Sequence, residues 1–204
     1  MNLSERDYRI LNNLSKWRFL LAKHIQVLCG FSSSVTMYRR LKTLIENKLI
    51  EKKKILYGVP SIYTLTHSGL MMLGRNKRKD KIRVDILQHN IYVVETAIYL
   101  LKKEIVKSLD DITSEKELYS LSGFGNRKHQ PDFIFEKEGK IYAVEIELSI
   151  KIMERLEKNM KDNFLNYDYQ IWVIDEKNKK IIKNIKSLAE KYTGIKILYL
   201  KELC

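Results

Sequence analysis

Hydrophobic residues in the first third of the chain recur at helical spacing and then alternate as they do in strands. The first predicted element is a helix capped by Ser4, which is followed by an extended piece at 17–21. Two further helices are predicted, one at 22–29 that Gly30 ends and one from 32–34 to about 47. Strands at 49–56 and 61–66 and a helix from about 67 complete the series. This order is typical of a winged helix-turn-helix.

The third predicted helix has two distinct faces. Its predicted inward face is Val35, Tyr38, Leu41, Leu44 and Ile45. Its predicted outward face, which would enter the major groove of DNA, is Ser33, Thr36, Arg39, Arg40 and Thr43. The hairpin after it would contact the phosphate backbone through Lys52, Lys53 and Lys54. A winged helix used only for protein contacts is the alternative.

The rest of the chain alternates between helical and strand patterns. The predicted elements are a helix at 84–107, strands at 112–118, 132–136 and 141–148, a helix at 150–165, a strand at 170–174, a helix at 177–191 and a strand at 196–200. The pattern αβββαβαβ predicts an α/β sandwich on a mixed sheet, so the whole chain is α+β. A basic link at 74–81 suggests two domains, 1–76 and 77–204.

The charge of the chain is concentrated near its start. Residues 1–80 hold 16 Lys and Arg against 5 Asp and Glu, a net charge of +11, whereas residues 81–204 hold 22 against 20. This distribution is expected of a nucleic-acid-binding module joined to a nearly neutral one. With only Cys29 and Cys204 and no apolar run long enough for a membrane span, we expect a cytoplasmic protein that makes no membrane contact.

Acidic residues stand at one end of a predicted hairpin in the second part. If Glu138-Gly139 form its turn, Lys137 pairs with Lys140 and Asp132 falls opposite Glu145. Glu147 then lies on the same face as Glu145.

Three carboxylates on one patch of a sheet repel one another and are costly to bury. Mg²⁺ or Mn²⁺ would neutralise them, so we predict a metal site at Asp132, Glu145 and Glu147 that activates water for phosphodiester cleavage. Lys151, just beyond, would stabilise the phosphorane or help to orient the nucleophilic water. An edge hairpin with exposed acids and no metal is the alternative. His129, just before Asp132, could approach the phosphate, but a surface-loop position is the simpler interpretation.

The order Glu, Pro-Asp and Glu-x-Glu within this pattern resembles the PD-(D/E)xK restriction-endonuclease-like superfamily. The resemblance implies that an upstream acid joins the site, with Glu115 as the match and Glu117 as the second choice. It also identifies a departure, because Glu147 stands where the superfamily usually has lysine. Lys151 is then a displaced lysine.

The string Val144-Glu145-Ile146-Glu147-Leu148-Ser149-Ile150-Lys151 after a winged-helix pattern is similar to the replication-relaxation family, which includes MobC-type relaxases. The resemblance implies nicking of double-stranded DNA at an origin of transfer or replication on a mobile element. Further partners that the resemblance allows are other relaxosome or replication proteins and a second copy of the chain. The alternatives are a non-catalytic accessory factor, replication initiator or repressor, and a defence or repair nuclease.

Overall fold

The computed structural model describes residues 3–75, 82–122, 129–149 and 153–203, and it is a mixed α/β structure with two sheets. It divides into two compact units, Met1–Val94 and Glu95–Cys204. The domain boundary predicted near residue 76 falls on 76–81, outside the described residues. No helix in the described ranges combines the length and apolar content needed to cross a membrane.

The first unit contains the helices and the hairpin that the sequence pattern predicts. Its elements are α1 (Glu5–Lys16), β1 (Leu20–Leu21), α2 (Ala22–Leu28), α3 (Ser34–Glu46), β2 (Ile50–Lys53), β3 (Ile62–Leu65), α4 (His67–Met72) and the first turns of α5 (Leu87–Lys102). The three strands form an antiparallel sheet with β3 in the centre. Leu87 of α5 packs in one apolar cluster with Phe19, Leu21 and Ile62.

The inward face of α3 differs from the prediction. Met37, Leu41 and Leu44 are buried, whereas Val35 and Tyr38 are 64% and 51% exposed. The buried stripe follows the spacing 37, 41, 44 along the helix that Ser33 caps. At about 100° of rotation per residue, Val35 lies about 120° away from Leu41 around the helix axis. Leu41 and Leu44 of the predicted inward face are therefore confirmed as buried, whereas Met37 takes the inward position expected for Val35 and Tyr38.

A buried ion pair joins α1 to α3. The carboxylate of Asp7 is fully buried and accepts hydrogen bonds from Nε and Nη2 of Arg40. The same carboxylate accepts from the Ser4 N–H at 2.7 Å, which completes a capping box at the start of α1. Arg40, predicted to contact DNA, is therefore engaged in setting the position of α3.

Gly69 lets α4 pack directly on the chain that leads into β2. A Cβ at position 69 would lie 2.1 Å from the Leu49 carbonyl oxygen, which already accepts from the Thr66 N–H. We expect Gly69→Ala to lower the free energy of unfolding by about 1–3 kcal/mol, because the backbone must shift. Urea denaturation measures this change, with Ser68→Ala, an exposed position of the same helix, as control. Equal midpoints for wild type and Gly69→Ala would contradict the close contact.

The second unit is built on a five-stranded mixed sheet. After α5 its elements are β4 (Ile112–Ser114), α6 (Glu115–Leu121), β5 (Phe133–Lys137), β6 (Lys140–Glu147), α7 (Met153–Asn166), β7 (Tyr169–Ile174), α8 (Lys179–Ala189) and β8 (Ile195–Tyr199). The strands lie in chain order, antiparallel from β4 to β6 and parallel from β6 to β8. Two adjacent β–α–β connections therefore follow one hairpin.

Two predicted elements of this unit are shorter than expected. The strand predicted at 112–118 ends at Ser114, because Ser114 and Glu117 form a capping box that begins α6. The helix predicted at 84–107 is a 3₁₀ turn at Val84–Ile86 followed by α5, which ends at Lys102.

The predicted register of the β5–β6 hairpin is confirmed. Lys137 pairs with Lys140, and the ladder continues to Phe133 opposite Val144. The turn residues Glu138 and Gly139 have φ values of 54° and 72°, as expected of a tight two-residue turn.

Both faces of β6 are covered. Glu145 pairs with Trp172, and Glu147 pairs with Ile174, so each glutamate shares a sheet face with its partner. Trp172 and Ile174 pack in the core formed with α7 and α8, and this face therefore carries the glutamates as well. Val144 and Ile146 point to the opposite face and are also buried.

Candidate nucleic-acid surface and acidic site

The outward face of α3 presents a mixed polar and apolar surface. Thr36 and Arg39 are exposed beside Val35 and Tyr38. The Ser33 hydroxyl accepts from the Thr36 N–H at 3.4 Å as the helix cap, and the Thr43 hydroxyl donates to the Arg39 carbonyl oxygen at 3.1 Å.

The three hairpin lysines differ in their surroundings. Lys52 is exposed, Lys53 forms an ion pair with Glu51 at 2.9 Å, and Lys54 Nζ donates to the Val59 carbonyl oxygen at 2.7 Å. The hairpin tip carries Tyr57, whose side chain is fully exposed. Lys52 is therefore the member of the three that is best placed to meet a phosphate.

Sequence reasoning missed a cleft beside α3. It has a volume of about 420 Å³ and is lined by Ser4, Glu5, Arg6, Arg9, Phe31, Thr36 and Arg40. The Arg6 guanidinium lies 5.0 Å from the centre of the Phe31 ring, a cation–π distance. Arg9 forms a 3.3 Å ion pair with Glu5.

Glu145 is the centre of the acidic site in the second unit. It is 5% exposed, and its Oε1 accepts a hydrogen bond from Asn163 Nδ2 of α7 at 2.9 Å. His129 Nε2 lies 2.5 Å from the same oxygen. His129 lies outside any helix or strand, and its side chain is 20% exposed, so this histidine is partly buried against Glu145.

Burial raises the pKa of Glu145 above its ordinary value, and the negative charge of Asp132 acts in the same direction. The hydrogen bonds from His129 and Asn163 oppose this shift without cancelling it. The pKa of Tyr167 is also raised, first by burial and then by the charge of Glu145. The site therefore contains a carboxylate that is costly to ionise.

Asp132 immediately precedes β5 and lies level with Glu145. Its Oδ2 accepts from the Ile146 N–H at 2.7 Å, and its carbonyl oxygen accepts from the Glu115 N–H at 2.9 Å. Ser114 pairs with Phe133, and Phe133 pairs with Val144. One position beyond this row of the antiparallel ladders, the same register aligns Glu115, Asp132 and Glu145. Three acidic residues thus occupy one row across neighbouring backbones, although Glu115 begins α6 and does not belong to a strand.

The remaining predicted acids have other contacts. Glu147 is 2% exposed, and its Oε1 accepts from the N–H and the hydroxyl of Ser149 at 3.2 and 3.3 Å. Glu117 accepts from the Ser114 N–H at 2.8 Å as part of the helix cap. Lys151 falls outside the described residues.

The predicted trio of metal ligands is brought together only in part. Asp132 and Glu145 are electrostatic neighbours. Within the described part of the chain, however, no group of three or more His, Cys, Asp and Glu side chains is arranged to hold a metal ion.

Asn163 was missed from the sequence, although a signal for it was present. It is 1% exposed and follows Leu156 and Met160 at the spacing of the buried face of α7. A polar residue at such an inward position needs a buried partner. The identity of that partner, Glu145, depends on tertiary packing.

Comparison with models of known families and with curated proteins found no match to this chain.

Proposed function

We propose that this chain is a sequence-specific DNA-binding protein of a mobile element and nicks DNA at an origin of transfer or replication, using Mg²⁺ or Mn²⁺. In this proposal the first unit is a winged helix-turn-helix and the second is a restriction-endonuclease-like domain. The observation that carries the proposal is the buried Glu145 beside Asp132 on a central hairpin. The resemblance of the 144–151 string to the replication-relaxation family supports the choice of substrate.

DNA recognition is assigned to the first unit. Its excess of positive charge, the exposed face of α3 and the exposed Lys52 support this assignment. Arg39 and Thr36 would contact base edges, with Val35 and Tyr38 offering apolar contacts to thymine methyl groups. Arg40 would act indirectly, by holding α3 on α1 through Asp7.

The donor chemistry of the acidic site fits a hard divalent cation. Asp132 and Glu145 supply carboxylate oxygens, the ligands such ions prefer, and a cation would offset the cost of ionising Glu145. When bound, the ion supplies an activated water and positive charge for the attacked phosphate. His129 and Asn163 orient the Glu145 carboxylate. In this proposal Glu115 is a further acid of the site. Glu147 is a third metal ligand, and Lys151 acts on the phosphate or the water.

The second candidate is a non-catalytic DNA-binding protein, such as an accessory factor, initiator or repressor. A specific observation favours it: each carboxylate of the predicted trio already has a protein donor. These donors are Asn163 for Glu145, the Ile146 N–H for Asp132, and Ser149 for Glu147. The acids would then have a structural role in a degenerate nuclease fold.

Nicking of supercoiled plasmid with Mg²⁺, Mn²⁺ or EDTA tests the proposal. Plasmids with and without the origin of the element that encodes the protein should differ, and conversion to the open circle should require the metal. Origin binding that is equal with and without metal, together with intact plasmid in Mn²⁺, would reject the nickase and favour the second candidate.

Arg39→Gln should weaken binding to a duplex selected from a random pool by about 1–3 kcal/mol and relax the sequence preference of the protein.

Lys52→Gln should instead weaken binding to every duplex by the same factor. It should also lower the slope of log affinity against log salt concentration by about 0.9, as expected for one lost phosphate contact. Fluorescence anisotropy over a series of salt concentrations measures both effects. Lys107→Gln, an exposed lysine of the second unit, is the control. Unchanged binding by both variants would show that neither α3 nor the hairpin contacts DNA.

A further inference from the structure

The second unit is nearly neutral overall, but its charge is not evenly spread. Residues 177–191 hold six lysines and one acid, a net charge of +5, so the rest of 81–204 has a net charge of −3. Four of these lysines belong to α8, which contains no acidic residue: Lys179, Lys180, Lys183 and Lys186. We call these four the α8 lysine face.

The α8 lysine face lies opposite the buried side of the helix. Ile181, Ile185 and Leu188 are buried in the core, whereas all four lysines are exposed. At about 100° per residue, Lys179, Lys183 and Lys186 fall within about 60° of one another around the axis. They span about 10 Å of helix length at about 1.5 Å per residue.

The arrangement is unfavourable for the helix alone. Lys179 and Lys180 occupy the first turn, where the helix dipole disfavours positive charge, and α8 has no acid there. Lysines three or four residues apart repel one another. No ion pair joins any of the four to an acidic group among the described residues. By contrast Lys191, just after α8, pairs with Glu157 at 2.8 Å.

The neighbouring helix α7 packs against the same core and shows that such a charge excess is not required there. It carries Arg155, Lys158 and Lys161 together with Glu154, Glu157 and Asp162, which balance in sign. Both helices cover the sheet with apolar residues, so the fold accepts a neutral outer face. The excess of positive charge on α8 therefore favours an interaction with an anionic partner outside the unit.

We propose that the α8 lysine face binds the phosphate backbone of duplex DNA, as a contact surface separate from α3 and the hairpin. The inference rests on the proposed function in taking DNA as the partner. A row of three or four cations over about 10 Å matches a polymer with one phosphate per about 3.4 Å of axis along each strand. Because the apolar side of α8 is buried in the core, the helix has no free face for insertion into lipid.

The test compares two triple variants of the full chain that lose the same charge. One is Lys179→Gln, Lys183→Gln and Lys186→Gln, and the control is Arg155→Gln, Lys158→Gln and Lys161→Gln on α7. Binding to a 30-base-pair duplex of arbitrary sequence is measured by anisotropy from low to physiological salt. The α8 variant should lower the slope of log affinity against log salt by about 2–3, and the α7 control by less than about 1.

Thermal unfolding supplies a second measurement. The α8 variant should unfold at a temperature equal to or higher than that of the wild type, which excludes misfolding as the cause of weaker binding. Equal loss of slope in both triple variants, or no loss in the α8 variant, would overturn the inference. So would loss of binding to phosphatidylserine vesicles with unchanged DNA binding.

The two proposals fail in different ways. If the wild type binds duplex and Lys52→Gln weakens it, while the α8 variant keeps the wild-type slope, only the α8 inference fails. If the wild type binds no duplex even at low salt, DNA binding itself is rejected and the α8 assignment falls with it.

Discussion

Glu145→Gln is expected to abolish the proposed metal-dependent nicking while leaving the fold at least as stable as the wild type. The amide has nearly the same shape, so the contact with Asn163 can persist. It cannot supply the negative oxygen that a divalent cation needs. We expect the nicking rate to fall by at least about 100-fold, the scale of losing one electrostatic contributor at an active site.

The effect of Glu145→Gln on stability has the opposite sign. Glu145 is 5% exposed and lies near Asp132, so its ionised form is costly in the absence of a cation. Removing the charge should leave the free energy of unfolding unchanged or raise it by about 1 kcal/mol. Urea denaturation without metal measures this change, and plasmid nicking with Mn²⁺ measures the activity of the same preparation.

Glu138→Gln is the matched control for Glu145→Gln, because it removes an exposed carboxylate from the turn of the same hairpin. It should nick and unfold like the wild type. Nicking by Glu145→Gln at the wild-type rate would exclude a role in cleavage. A loss of several kcal/mol of stability in Glu145→Gln would indicate that the carboxylate is a structural group, as the second candidate function requires.

Asp7→Asn is expected to destabilise the first unit by about 2–3 kcal/mol and to weaken the proposed DNA binding. The substitution leaves Arg40 without its carboxylate and weakens the cap of α1. Breaking a fully buried pair from one side costs about 3–5 kcal/mol, and the 32% exposure of Arg40 reduces that figure. The measurement is urea denaturation of Asp7→Asn, Arg40→Gln and the double variant. The double variant should lose less than the sum of the two singles.

The effect of Asp7→Asn should depend on pH. Burial alone would raise the pKa of Asp7, but hydrogen bonds from Arg40 and Ser4 outweigh burial and hold it below 3.8. Asp7 therefore contributes stability that is fully present above about pH 3.8 and is lost as the pH falls through its lower folded value. The stability difference between wild type and Asp7→Asn should shrink in that acid range.

Glu5→Gln is the control for Asp7→Asn, since Glu5 is an exposed acid of the same helix that pairs with Arg9. It should change stability by less than about 0.5 kcal/mol. A difference between wild type and Asp7→Asn that stays constant from pH 2 to pH 7 would show that the charge of Asp7 has no stabilising role.

Local signals account for the elements that the sequence predicted correctly. Ser4 and Ser33 cap the predicted helices, Gly30 with φ of 64° ends α2, and Glu138-Gly139 set the hairpin register. Each depends on residues a few positions apart, so no tertiary information is needed. The Ser114 to Glu117 capping box was an equally local signal, and missing it placed Glu115 in a strand.

The sequence alone determined the two-part charge distribution, most helices and strands, and the level of Asp132 beside Glu145. Only the tertiary structure decided which side chains meet. Arg40 lies 33 positions from Asp7, and Asn163 lies 18 positions from Glu145. Pairings at such separations depend on how helices pack on the sheet, which periodicity does not specify. The sequence indicated that the carboxylates of this hairpin need partners. Only tertiary packing decided that the partners of Glu145 are His129 and Asn163.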